Sequence, residues 1–358
     1  MALDSLQSRL WSKVALSRRL REIRGLRGMT QADLAGASGL DVYRIRNYEL
    51  ANSLPRPDDM AALAVGLGVA EECLMVLDYD SQGMMHQNLA IRVLWQLADT
   101  YGLAPGACEG YVFVRPTSSF MGRAVRSWAS AFDELATEGV DSPRYREYAL
   151  WKYRFHDEFD CREFPSRFPG GDLGAFSSPQ DWERAHLSDK LRRLRERAGM
   201  RQADLARESG VALFTIRSYE QGRRLPGRRH LVAIANAYGI EWESLAFVDF
   251  RTPNLAVHTL FDIGHAFGLR PDVIDGEPVV RSFAPGLERA IECWAAAESR
   301  LSGEELEDWR DHYRDDGQEA CRLKSRYRHA TRADIDGLVV LSAMESDYDP
   351  YPGYLVRS

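Results

Sequence analysis

The residues able to carry chemistry fall into two groups, and the first leads nowhere. His258 and His265 lie seven apart rather than the four that places two imidazoles on one face of a zinc-binding helix. His156-Asp157-Glu158 sits in a charged, irregular stretch that reads as solvated surface. The five cysteines, Cys73, Cys108, Cys161, Cys293 and Cys321, are odd in number and scattered, with neither CxxC spacing nor the density of a disulfide scaffold, and read as buried thiols. HExxH, the phosphate-cradling P-loop and the GxSxG nucleophile elbow do not occur. Catalysis, a metal centre and a cofactor are not expected.

The second group is arginine. The 358-residue chain carries a net charge of −7, but the charge is unevenly placed: about +3 on residues 13–70, about +7 on 184–242 and about −17 on the remainder. Guanidinium clusters of this kind attract phosphates. With 45% apolar residues and no apolar stretch long enough to span a bilayer, the chain has material for two or three packed domains. Its N-terminus lacks the basic and apolar regions of a secretory signal, so the cytosol is the expected compartment.

The elements that must position these arginines come in duplicate. Sliding the sequence by 171 residues aligns Leu20-Arg21, Arg24, Gly28-Met29, Gln31-Ala32-Asp33-Leu34-Ala35, Ser38-Gly39, Ile45-Arg46, Tyr48-Glu49 and Leu54-Pro55 with identical residues from Leu191 to Pro226, about 21 matches in about 49 positions. At an offset of 166, Asn88-Leu89-Ala90 and Trp128-Ala129 recur as Asn254-Leu255-Ala256 and Trp294-Ala295. Each repeat is thus a basic module followed by an accessory module. The boundaries read as 1–78 and 79–163 for the first repeat, 164–183 for a Pro/Gly/Ser-rich linker, 184–248 and 249–331 for the second repeat, and 332–358 for a tail.

Within the first basic module, Leu16, Leu20 and Ile23 recur at helical spacing until Gly28. Thr30 is placed to cap a second helix and Asp41 a third, with a glycine turn at Ser38-Gly39 between them. Pro57 suits the start of a fourth helix, and Glu71 to Leu77 suggests a fifth.

This order of residues resembles the phage-repressor and Cro helix-turn-helix family in both copies, over about 65 residues each. The resemblance implies a mainly α fold: two lambda-repressor-like domains, each followed by a mostly helical accessory module, forming an internal pseudo-dimer. It implies double-stranded DNA as partner, with Gln31 and Gln202 donating to the DNA backbone and the third helix in the major groove. Base-facing positions are then Val42, Tyr43 and Asn47 in the first copy, and Leu213, Phe214 and Ser218 in the second. Arg44, Arg46, Thr215 and Arg217 flank them, and Asn52, Arg201, Arg223 and Arg224 complete the expected contact set. Arg24 with Glu49, and Arg195 with Glu220, match a structural ion pair of the family.

The base-facing residues are unusually apolar. They suit thymine methyl groups, with Asn47 reading adenine, or else contact with protein. The second copy carries Gln221-Gly222-Arg223-Arg224 and Arg228-Arg229 where the first has Leu50-Ala51-Asn52-Ser53 and Asp58-Asp59, so it is expected to be the stronger DNA contact. Ala51 stands where the family usually has glycine, which puts that turn in question.

In the accessory modules, helical stripes (Leu89, Val93, Leu97, Tyr101; Val257, Phe261, Phe267) predict a core that pairs the halves, and self-association through these modules is a further expectation. Tyr111 to Val114, Val279-Val280 and Gly337 to Leu341 are weak strand candidates. The acidic surface would discourage nonspecific DNA contact or meet a basic partner, and the tail would either dock or remain on the surface. A small-molecule effector is not readable.

Overall fold

A computed structural model describes residues 13–77, 87–108, 111–135, 143–154, 179–248, 250, 252–283 and 285–313. The first head is built from α1 (Lys13–Leu26), α2 (Gln31–Ser38), α3 (Val42–Glu49), α4 (Pro57–Leu67) and a 3-10 turn at Glu71–Leu74. Its accessory module follows with α5 (Gln87–Tyr101), β1 (Leu103–Cys108), β2 (Tyr111–Pro116), α6 (Ser119–Leu135) and α7 (Pro143–Tyr153). The second head repeats the order with α8 (Pro179–Arg197), α9 (Gln202–Ser209), α10 (Leu213–Glu220), α11 (Arg228–Tyr238) and a 3-10 turn at Trp242–Leu245. Then come α12 (Pro253–Phe267), β3 (Leu269–Ile274), β4 (Glu277–Ser282), α13 (Pro285–Glu298) and α14 (Glu304–His312).

Local chemistry starts and stops these helices. Thr30 and Asp33 form a reciprocal capping box, and Asp41 accepts the Arg44 amide at 2.8 Å. Pro57 sits at the start of α4. The second copy lacks both side-chain caps: Arg201 and Ala212 stand in those places, and only the Arg201 backbone N–H is held, by Asp204 at 3.0 Å. Two expectations need correction. Glu71 to Leu77 yields a single 3-10 turn rather than a fifth helix, and the expected linker ends early, because α8 takes in 179–183. Proline fits a first helical turn, where its missing N–H has no partner to lose, and Glu183 is already buried.

The two accessory modules make one body. Its sheet runs β1-β2-β4-β3, all antiparallel, and the halves join at the centre where Phe113 pairs with Arg281 and Val114 with Val280. Helices cross over between halves: α6 packs on β3 and β4 of the other repeat, and α13 on β1 and β2. A single apolar core runs through both, including Trp128, Phe261, Val114, Val280 and Trp294. Trp128 lies so close to α12 that a Cβ on Gly264 would come within 2.7 Å of its ring. The outer strands were not legible, since Pro105 and Pro271 argue against strand; as edges they need no donor on the open side.

Each head rests on both halves, its own and the opposite one. The 3-10 turn of the first head packs on α12, and that of the second on α5. Cys73 and Cys293 are buried. His156-Asp157-Glu158, Gly337 to Leu341, most of the linker, the tail, Cys161 and Cys321 lie outside the described residues, as does the Cys108 side chain. Among the described residues no helix is long and apolar enough to cross a membrane, and no group of three or more His, Cys, Asp or Glu could hold a metal.

Candidate nucleic-acid interface

In each head the third helix packs on the first and second helices and turns its other face outward. Ile45 and Tyr48 on α3, and Ile216 and Tyr219 on α10, plug the head cores. Val42, Tyr43, Arg44 and Arg46 are exposed on α3, as are Phe214 and Arg217 on α10. Tyr43 (74% exposed) and Phe214 (72%) occupy equivalent positions, so both heads present an aromatic ring at the start of the outward face.

The buried side of this helix is fixed by charge. Arg24 forks onto Glu49 at 2.6 and 3.0 Å and reaches the Met29 carbonyl at 2.8 Å. Arg195 does the same to Glu220, at 2.8 and 3.1 Å, and to Met200 at 3.0 Å. These hydrogen bonds raise both guanidinium pKa values further. The Gln31 amide donates to Glu49 at 2.8 Å and Gln202 to Glu220 at 2.9 Å. One N–H of each amide is therefore used inside the head.

The chain carries two helix-turn-helix domains. The helix-turn-helix domain family matches residues 15–74 and 186–245, which are the two heads. No curated protein and no solved structure gives a match.

The remaining predicted contact residues separate once the two helix-turn-helix domains are compared. Ser218 is only 7% exposed, so it cannot face a base as expected: it lies on the inner side of α10, where a small residue fits. Its counterpart Asn47 is half-buried and accepts from Asn52 at 3.2 Å. Leu213 and Thr215 are half-buried. Arg44 is tied back to Asp59 at 3.1 Å and Asp41 at 3.4 Å, and Arg201 is paired with Asp204 at 3.0 Å. By contrast Arg46, Arg217, Arg223 and Arg224 are exposed and make no ion pair among the described residues.

A deeper difference lies beneath. In the first domain Tyr48 donates to Asp59 at 2.5 Å, and burial together with this bond pushes its hydroxyl up to about 12. In the second, Tyr219 meets His230 Nδ1 at 2.6 Å instead. The acidic group that draws Arg44 inward is absent there, and exposed Arg229 replaces Asp58. From the third-helix cap through the same tyrosine partner, residues 41–59 carry three cations against four anions, whereas 212–230 carry five against one. Sequence reasoning named the arginines, and Asp59 only as one of an acidic pair, but not His230 or the tyrosine that each of these two residues meets, whose signal was their shared offset of 171.

The turn after the third helix is the same in both domains. Ala51 has φ 57° and Gly222 φ 65°, so alanine occupies a left-handed conformation that costs it more than glycine.

Proposed function

We propose that the protein is a cytosolic, sequence-specific DNA-binding regulator of transcription that lays two unequal helix-turn-helix domains on one operator. The observation that carries this reading is exposed arginine on and after α10: Arg217 beside Phe214 on the helix, Arg223 and Arg224 in the turn that follows and Arg229 at the start of α11, with no carboxylate pairing them among the described residues. In this arrangement the arginines take phosphates and guanine edges, and the apolar residues take thymine methyls. The shared body makes engagement of the second domain intramolecular, at an effective concentration of about millimolar where the half-site spacing of about 34 Å is met. Unequal faces suit an asymmetric site. No enzyme activity is part of this proposal.

Duplex binding measured against salt with random genomic fragments tests it. A steep slope is expected, flattened by about 2 when Arg223 and Arg224 are both replaced by alanine. Replacing Gln202 and Arg217 should weaken binding more than replacing Gln31 and Arg46; equal losses contradict the ranking. Selection of bound duplexes followed by sequencing reads the operator.

A second reading, in which the domains are an interaction module of antirepressor or antitoxin-like type, is favoured by one observation: the first domain exposes apolar Val42, Tyr43 and Leu50 together on and just after its third helix. A chain that retains no duplex at low salt fits that reading alone.

A further inference from the structure

The two helix-turn-helix domains meet the body through junctions of different kinds. Tyr153, the last residue of α7, is built into the apolar core of the first domain. Its carbonyl accepts from the Ala70 amide at 3.0 Å, and its hydroxyl donates to Glu22 on α1 at 2.7 Å. Near the other end of α7, Arg146 donates to the Leu26 carbonyl where α1 stops, and Arg19 of α1 is paired with buried Asp262 on α12. Moving the first domain would therefore unpack its own core.

The core of the second domain is drawn from its own residues, Leu187 to Leu245, with Trp242 of the 3-10 turn also touching the core of the body. Between α8 and the body lies a cavity of about 590 Å³, whose walls include Arg92 and Gln96 on α5, Lys190 and Arg197 on α8, and Asp311 on α14. Ion pairs tie α8 to α14 beside it: Lys190–Asp311 at 2.6 Å, and Arg197 to Glu307, Asp311 and Asp308 at 3.0, 3.4 and 3.6 Å. Glu307 and Asp308 are 57% and 50% exposed, so water and salt reach these pairs. At the other wall Gln96 clamps the segment that leaves the domain. Its amide donates to the Ala246 carbonyl and its side-chain oxygen accepts from the Val248 amide, both at 2.9 Å. Ser244 adds a bond to the Asp311 carbonyl at 2.8 Å.

A junction made of ion pairs beside an open cavity can exchange its partners for water, whereas one made of a shared apolar core cannot. We propose that the second helix-turn-helix domain swings on the body about the Gln96 clamp, with the α8–α14 ion pairs as its latch, while the first domain stays fixed. The swing changes the separation of the two third helices, so half-sites spaced somewhat away from about 34 Å can still be met together. This use of the motion rests on the DNA-binding reading; the motion does not.

Electron–electron double resonance on the full chain tests it, with spin labels on ketone-bearing residues so that native thiols stay silent. Exposed Val273 on β3 serves as the body site, paired in turn with the exposed positions Val65 in the first domain and Asn236 in the second. On raising salt from about 0.05 to about 0.5 M, the Asn236–Val273 distribution is expected to broaden about twofold and the Val65–Val273 distribution to stay as it was. Glu307→Gln with Asp308→Asn and Asp311→Asn, which removes the latch carboxylates and none of the domain's cations, should give the same broadening at low salt. Two distributions that respond alike to salt, or not at all, overturn the proposal without any variant having to fold. Duplex affinity is then compared between the selected operator and one lengthened by a base pair between its half-sites. The triple variant is expected to narrow the gap between them by about threefold. An unchanged gap in a domain that moves overturns the role in spacing, and a moving domain on a chain that binds no duplex sinks the DNA reading and keeps the motion.

Discussion

Arg19 of the first helix-turn-helix domain reaches Asp262 of the second accessory module at 2.6 Å, both side chains nearly sealed from solvent. The pair joins residues 243 positions apart and is supported by the Cys73 carbonyl, which accepts from Arg19 at 2.7 Å, and by the Tyr153 ring beneath the guanidinium. In the second domain the repeat places Lys190 at the corresponding position, and it pairs with Asp311 instead. The two domains are therefore attached to the body by different bonds.

Breaking one side of a buried pair leaves the other charge without compensation. Arg19→Met is expected to destabilise the protein by about 3 kcal/mol or more, and Arg19→Met with Asp262→Leu by clearly less. Denaturant unfolding of the four members of the cycle checks this; additive losses would show that the pair is not coupled.

Acid should loosen the same junction. His265 lies near Lys152, Glu22 and Arg19, and burial, reinforced by Lys152, pushes its pKa from 6.5 to about 3. An unfolded chain then binds a proton between those values that the folded chain refuses, so stability is full above about pH 6.5 and falls as the pH drops towards 3, by at most about 1.4 kcal/mol per pH unit for this group. His265→Leu should flatten the slope of thermal stability over that window. An unchanged slope would assign the pH dependence to other groups.

The left-handed alanine makes a cleaner test of local strain. Ala51→Gly should stabilise the first domain by about 1 kcal/mol, and Gly222→Ala should destabilise the second by a similar amount, because the same turn is occupied in both. Opposite shifts in melting temperature are the expected result.

Charge on the first domain can be moved towards that of the second. Asp58 is exposed and Arg229 stands in its place in the repeat, so Asp58→Arg is expected to strengthen duplex binding several-fold and to steepen the salt slope by about 1. No gain would mean that the first domain does not lie against DNA.

The exposed rings separate affinity from specificity. Phe214→Ala should leave stability within about 0.5 kcal/mol, since the ring is largely in solvent. Discrimination of the selected operator from random duplex should fall by about 1 to 3 kcal/mol, with the salt slope unchanged. Tyr43→Ala is expected to have the smaller effect.

Much of this protein was legible in its residue order. Helix starts at Thr30, Asp41 and Pro57 follow from short-range spacing, because caps, turns and helical stripes are set by neighbours a few positions apart, and the duplication follows from comparing the chain with itself. The Arg24–Glu49 and Arg195–Glu220 pairs, 25 residues apart, were implied by the family resemblance. The sequence also named the basic residues of the second domain. Distance in the chain hid the rest. That Ser218 turns inward and that Asp59 holds Arg44 are decided by packing within each helix-turn-helix domain. The proline-bearing edge strands that complete a sheet across both halves and the burial of Arg92 beside a cavity depend instead on partners brought together only when the two repeats close over one core. Spacing determines which face a side chain occupies on its own helix; packing decides what that face meets.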